Sequence, residues 1–146
     1  MRILLDTNLL VRAAITPKGS AREILRLIEA SAEHTLVIST YLLSEVADVL
    51  RRDRIRARWP LTDLEIGAYC QYLARVAEEV TPEALPAVIH DEKDQAVVET
   101  AVSGRVDAIC TSDGHFYQAP VLEFCEAHAI RVLKDVELLN RLRRAI

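Results

Sequence analysis

Short runs of apolar residues alternate with helical patterns along this chain, and this alternation limits the folds that it can adopt. Apolar runs predict strands over residues 3–5, 36–38, 108–110 and 130–133, and a short edge strand at 79–80. Between these runs, apolar residues recur at the spacing of helices. Strands and helices that alternate in this way typically form a mainly parallel sheet. The sequence therefore predicts an α/β fold.

Polar residues mark where the predicted helices begin. Two capping boxes, Ser20–Glu23 and Thr62–Glu65, each place a hydroxyl residue three positions before a glutamate. The second box predicts a helix to about Val76, and residues 121–128 are also predicted to be helical. The other assignments are Ser39 or Thr40 as the cap after the second strand, Asp91 or Asp94 as the start of a helix that Gly104 closes, and Asp135 as the cap of a last helix to Arg144.

The composition fits one cytoplasmic domain over residues 1–146. Half of the residues, 51%, are hydrophobic, which is enough for a core in a chain of 146 residues. The net charge of −4 argues against a general binder of phosphate backbones, but not against an enzyme whose metal ions supply positive charge. The three cysteines match no disulfide framework or zinc pattern, and the apolar run at residues 3–5 is too short for a signal peptide or a membrane span.

Acidic residues follow two of the predicted strands or interrupt apolar helix faces. Asp6 directly follows the first strand and Asp113 lies just past the strand at 108–110, where ligands of parallel sheets bind. Asp94 lies within the apolar stripe of its helix, where a carboxylate costs free energy unless it is paired or bound to a metal. Glu45 borders the apolar stripe of an earlier helix. Each acid also has a local interpretation: a turn residue for Asp6 and Asp113, an acid behind an Asp91 cap for Asp94, and a solvated flank residue for Glu45.

Four converging carboxylates would have a chemistry that no single one has. They repel one another and cannot all ionise unless a cation neutralises them. A set of hard oxygen ligands suits Mg²⁺ or Mn²⁺. Such ions can activate water and stabilise the leaving oxygen of a phosphodiester.

The order and spacing of these acids resemble the PIN domains, and within them the VapC-like toxins of bacteria and archaea. The resemblance covers essentially the whole chain. It rests on Leu5–Leu10 as the opening strand and first acid, Ser44–Val46 as the glutamate motif, Asp91–Ala101 as the central acidic motif, and Asp107–Asp113 as the closing strand and acid.

The resemblance implies a single PIN-like nuclease domain, a Rossmann-like three-layer sandwich with a mainly parallel central sheet. It implies an endoribonuclease that hydrolyses single-stranded RNA with Mg²⁺ or Mn²⁺, the toxin of a toxin–antitoxin pair. An antitoxin protein that covers the acidic groove, a homodimer and no membrane association are also implied. The implied catalytic and metal-binding residues are Asp6, Glu45, Asp94 and Asp113.

Further residues are assigned on the same basis. Asn8 and Thr111 orient carboxylates or substrate, or else cap a helix and a strand, and Asp91 is the replacement if the central acid is not Asp94. Many relatives have another acid two positions after the last aspartate. This chain has His115 there, so a second metal would be held weakly or only with substrate. His115 could instead contact a phosphate, or be a solvated loop histidine.

Residues 51–58 contain five arginines, which is unusual in an acidic protein. Arg54 and Arg56 could contact RNA phosphates near the mouth of the site, or the run could be a solvated helix end that complements the helix dipole. A competing function is a catalytically weak PIN-fold module that only binds RNA or a partner protein. A phosphotransfer domain is disfavoured, because Asn8 occupies the position of the second aspartate of a haloacid-dehalogenase-like phosphatase and no lysine is placed as in a receiver.

Overall fold

The computed structural model describes residues 1–144. It has five strands, β1 to β5 in chain order: Arg2–Leu5, Thr35–Ile38, Ala77–Glu79, Ala108–Cys110 and Arg131–Leu133. It has eight helices, α1 to α8 in chain order: Thr7–Ile15, Ser20–Ala30, Thr40–Leu50, Asp53–Arg58, Asp63–Val76, Glu92–Ser103, Ala119–Ala127 and Asp135–Arg144. A short 3-10 turn at Gly114–Tyr117 lies between β4 and α7.

The five strands form one sheet in the order β3-β2-β1-β4-β5, and every neighbouring pair is parallel. This confirms the predicted α/β fold with a Rossmann-like parallel sheet. The strand at 79–80 was also predicted correctly as an edge strand, although it lies at 77–79. The strand order reverses between β1 and β4. Such a reversal is called a switch point, and open parallel sheets bind ligands there. Helices lie in every connection between strands that are consecutive in the chain, as parallel pairing requires.

The middle of the sheet is fully buried. The apolar residues of β1, β2 and β4 are at most 1% exposed, so these strands pack on both faces as parallel strands do. Gly104 closes α6 as predicted, but the left-handed residue is Arg105, with φ of 50°. Gly104 is required for another reason: a Cβ there would lie 2.5 Å from Val37 Cγ1 of β2.

The helix caps are confirmed at three predicted positions. Ser39 accepts the Leu42 N–H, and the capping box at Thr62–Glu65 is complete, with both reciprocal hydrogen bonds. At the third, Asp91 rather than Asp94 is the N-cap of α6.

Two other predicted caps were wrong. The N-cap of α2 is Gly19, because the Ser20 hydroxyl donates to the carboxylate of Asp135 at 2.6 Å. Asp135 is correspondingly the first residue of α8 and not its cap, and its carboxylate also faces Arg12. Ser20 and Asp135 therefore bind each other between α2 and α8, and neither caps its helix.

Helices α1 and α4 were not predicted. Helix α1 begins directly after Asp6, and α4 divides the arginine-rich segment from α3. The three cysteines are free, and no helix within residues 1–144 combines the length and hydropathy that crossing a membrane requires.

Candidate metal centre and substrate cleft

An open cleft of about 200 Å³ lies at the edge of the sheet where the strands end. Every acid that the sequence analysis selected lines this cleft: Asp6, Glu45, Asp91, Asp94 and Asp113. They come from the ends of β1 and β4, the middle of α3 and the first turn of α6. The fold thus gathers residues that are up to about 100 positions apart in sequence.

Asp6 is the most buried of these acids, with 6% of its surface exposed. It caps α1, since the Leu9 N–H donates to its Oδ1 at 2.9 Å, and the hydroxyl of Thr111 donates to its Oδ2. Burial raises the pKa of Asp6, while these two hydrogen bonds lower it less. The ionised carboxylate is therefore costly where it lies, and a bound cation would offset that cost.

Thr111 connects the two strand ends at the switch point. Its hydroxyl donates to Asp6 and accepts the Asp113 N–H at 3.0 Å. Asp113 in turn begins the 3-10 turn, where its Oδ1 accepts the His115 N–H at 2.9 Å. Thr111 is fully buried, so it holds both acids in fixed positions. Asn8 lines the cleft from an exposed position in α1.

The first turn of α6 supplies two acids. Asp91 caps the helix by accepting the N–H groups of Lys93 and Asp94, at 2.9 and 3.2 Å. The Asp94 side chain is only 17% exposed, and its Oδ2 lies 3.0 Å from Nδ1 of His115. Burial, together with the charges of Asp113 and Asp91, raises the pKa of Asp94, against the opposing hydrogen bond of His115. The carboxylates therefore repel one another in this part of the cleft.

Glu45 is not a solvated flank residue. Its side chain is 15% exposed, and Oε2 lies 3.4 Å from Nζ of Lys93. Glu45 lies in the middle of α3, where a carboxylate has no capping role. Lys93 projects from α6 into the same cleft, so an ion pair joins the two helices across it.

Two cations line the cleft, Arg52 and Lys93. Arg52 belongs to the arginine run for which the sequence suggested phosphate contact, whereas Lys93 was missed. Arg52 lies beyond the end of α3 at Leu50, so its helical spacing from Glu45 could not have placed it in the cleft. Arg54 and Arg56 lie outside the lining of this cleft. Arg54 is exposed, whereas the guanidinium of Arg56 is bound to the carboxylate of Asp63.

The tightest group of potential metal ligands in the cleft differs from the predicted four. It consists of Asp94, Asp113 and His115, which offer ligand atoms within 4.8 Å of one another. Asp6, after β1, and Glu45, in α3, line the same cleft. A cleft lined by several oxygen donors, with the pKa of two of them raised, fits a divalent cation of the Mg²⁺ or Mn²⁺ type.

Comparison with known proteins agrees with this architecture. The fold is similar to a chain of the crystal structure of VapBC2 from Rickettsia felis bound to a DNA fragment from their promoter, with a TM-score of 0.62, 15% identity, and coverage of 92% of this chain and 98% of that chain. No curated protein matches by sequence. Residues 2–115 match the sequence profile of the PIN domain, a stretch that contains β1 to β4 and every acid of the cleft. The chain belongs to the PIN domain family.

Proposed function

We propose that this protein is a metal-dependent endoribonuclease that hydrolyses phosphodiester bonds of single-stranded RNA. PIN domains are generally nucleases that use divalent metals, which supports hydrolysis of a nucleic acid. We assign the catalytic and metal-binding roles to Asp6, Glu45, Asp94 and Asp113, because they line one cleft at the switch point of the sheet.

The observation that carries the proposal is the position of Glu45. Capping explains Asp6, Asp91 and Asp113 one at a time, since each accepts backbone N–H groups at the start of a helix or turn. Glu45 caps nothing, yet its carboxylate is held among the others with little exposure. Lys93 offsets one of the negative charges that meet in the cleft, and a bound divalent cation would offset the others.

The side chains would share the work as follows. Asp6, Glu45, Asp94 and Asp113 would hold the cation, which when bound supplies positive charge to a scissile phosphate and lowers the pKa of water. Thr111 keeps the Asp6 carboxylate in place, and Asn8 at the cleft can orient substrate.

Phosphate contacts are assigned to the cations that line the cleft. Arg52 and Lys93 lie there with exposed side chains, although the chain as a whole carries a net charge of −4. Phosphate neutralisation by Arg and Lys supplies most of the sequence-independent affinity for nucleic acids. Arg54 and Arg56 remain candidates for a more distant part of the RNA.

We further propose that the protein is the toxin of a toxin–antitoxin pair, acting in the cytoplasm as a homodimer. The resemblance of its motifs to VapC-like toxins supports this, as does the shared fold with a VapBC2 chain. An antitoxin protein would then cover the acidic cleft. Co-expression with the gene that neighbours its own, followed by co-purification and size measurement, tests the partner and the dimer separately from catalysis.

One observation favours the alternative of a catalytically weak module that binds RNA or a partner protein. Three of the proposed ligands lie beside basic side chains of the protein itself, Glu45 beside Lys93 and both Asp94 and Asp113 beside His115. A module of this kind would bind RNA equally well with and without divalent metal.

Cleavage of labelled single-stranded RNA distinguishes the two functions. We expect cleavage with Mn²⁺ or Mg²⁺ and none after EDTA. We also expect none from Asp94→Asn, which keeps the shape of the side chain but removes a negative charge from the metal site. Asp63→Asn is the matched control, since Asp63 is exposed and pairs with Arg56 outside the cleft. Full activity of Asp94→Asn would transfer the role to Asp91, and RNA binding without cleavage in any metal would establish the binding module instead.

A further inference from the structure

His115 reaches the acids of the cleft although it lies in an exposed turn. Its Nδ1 is 3.0 Å from Oδ2 of Asp94 and 3.5 Å from Oδ1 of Asp113. These three ligand atoms form the compact cluster of the cleft, all within 4.8 Å of one another. The side chain is 56% exposed, so it meets these acids without being forced there by packing.

Two independent elements fix this arrangement. The 3-10 turn holds His115 beside Asp113, because the His115 N–H donates to the carboxylate that begins the turn. Asp94 comes from α6, and its Oδ2 meets the same ring nitrogen. The ring nitrogen therefore bridges two carboxylates from separate parts of the chain.

The two separations between the imidazole nitrogen and the carboxylate oxygens fit the ligand set of one ion. A divalent transition ion at about 2.1 Å from each ligand holds neighbouring ligand atoms about 3.0 to 3.4 Å apart, depending on octahedral or tetrahedral geometry. The two measured separations from Nδ1 are 3.0 and 3.5 Å. Coordination through Nδ1 requires the neutral imidazole with its proton on Nε2.

We propose that His115 is a metal ligand and that, with Asp94 and Asp113, it forms a mixed nitrogen and oxygen position which prefers first-row transition ions such as Mn²⁺, Co²⁺ or Zn²⁺ to Mg²⁺. Imidazole suits these softer ions, whereas Mg²⁺ binds oxygen ligands. The inference rests on the proposed function, because it needs the cleft to be a metal site. It specifies which ions that site selects.

Calorimetric titration of Mg²⁺, Mn²⁺ and Co²⁺ into the purified protein tests the preference. In His115→Asp, which makes the position all-oxygen, we expect the ratio of Mg²⁺ to Co²⁺ dissociation constants to fall by about tenfold or more. His128→Gln is the matched control, because His128 is an exposed histidine that contacts Phe124 and lies outside the cleft. Its ratio should equal that of the wild type.

Proton NMR of the Co²⁺ form tests ligation directly and without activity. The wild type and His128→Gln should both show one exchangeable, paramagnetically shifted imidazole N–H signal, which is absent from His115→Asp. The same signal in all three proteins, or an unchanged ratio of dissociation constants, would overturn the role of His115. If Asp94→Asn nevertheless loses metal, the cleft remains a metal site and only this inference fails. If no protein binds metal, both proposals fail.

Discussion

Exchange of Asp6 for Asn separates a metal ligand from a helix cap. Asn caps helices as well as Asp does, so α1 keeps its cap in this variant. What changes is the charge of a carboxylate that is 6% exposed. Burial raises the pKa of Asp6, so at pH values above that pKa the ionised group destabilises the metal-free protein. In EDTA at pH 7, Asp6→Asn should therefore be as stable as the wild type or more stable.

With metal bound, the wild type should become more stable than Asp6→Asn. An ion present at 100 times its dissociation constant stabilises a protein by about 2.7 kcal/mol, which is roughly 5–11 °C in Tm for a domain of this size. Removing one ligand should weaken binding by about a hundredfold, since even losing a group that only orients a ligand costs about 10–100-fold. The same ion concentration then raises the Tm of Asp6→Asn by only about 1 °C.

Asp135 supplies the opposite case. Its carboxylate accepts from Ser20 and faces Arg12 at 3.6 Å, and the hydrogen bond from Ser20 is the largest cause that lowers its pKa. A lowered pKa contributes stability above about pH 4 that is lost as the pH falls through the folded-state value. Asp135→Asn should therefore lose about 1 kcal/mol at pH 7 and keep the full response to metal.

Thermal unfolding of the three proteins, in EDTA and in Mn²⁺ from pH 4 to pH 8, measures both effects. The advantage of Asp6→Asn in EDTA should shrink as the pH falls through the raised pKa of Asp6, because protonation removes the unfavourable charge from the wild type. If Asp6→Asn is less stable than the wild type in EDTA and responds fully to Mn²⁺, then Asp6 is a structural cap and not a ligand.

Three more predictions concern the cleft and the packing beneath it. Glu45→Gln should weaken Mn²⁺ binding in calorimetry and slow RNA cleavage by about 10²-fold, because it removes one charge that holds the cation; equal affinity and rate would reduce the cluster to three aspartates. Gly104→Ala should lower the free energy of unfolding in urea by about 1–3 kcal/mol, since its Cβ would meet a buried side chain of β2 at 2.5 Å. Gly67→Ala in α5, with nothing within 4 Å, should raise it by about 0.5–1 kcal/mol. The reasoning is wrong if the two substitutions change the free energy of unfolding in the same direction. Arg52→Glu should flatten the log–log salt dependence of RNA binding by about one unit, and Arg26→Glu, at an exposed position of α2 outside the cleft, should not; equal slopes for the two would take the phosphate contact away from the cleft.

The parallel sheet was predictable because its central strands are short, apolar and separated by helical patterns. The position of each acid relative to its own strand or helix was predictable for the same reason. The neighbours of each strand were not, because register and order depend on contacts between distant residues. Leu5 pairs with Cys110, and this pairing brings Asp6 to within a hydrogen bond of Thr111, 105 positions away.

Capping predictions failed where a long-range partner competed for the side chain. Ser20 has the local sequence of a cap, but its hydroxyl is bound to Asp135 across the interface of α2 and α8. Thr62 has a similar sequence and no such competitor, so its capping box forms. Local sequence fixes what a hydroxyl can do, and tertiary packing decides which partner it takes.

The arginine-rich segment shows how a single missed boundary alters a functional prediction. If the segment is interpreted as one helix end, its five arginines all either contact RNA or face solvent. In the structure α3 ends at Leu50, Arg52 is the N-cap position of α4, and the chain changes direction between them. Arg52 therefore lines the cleft, while Arg56 is drawn to Asp63 at the start of α5. The run is thus divided by backbone geometry and not by its charge pattern. The phosphate contacts proposed for this cleft come from residues at the starts of two helices, Arg52 before α4 and Lys93 in the first turn of α6.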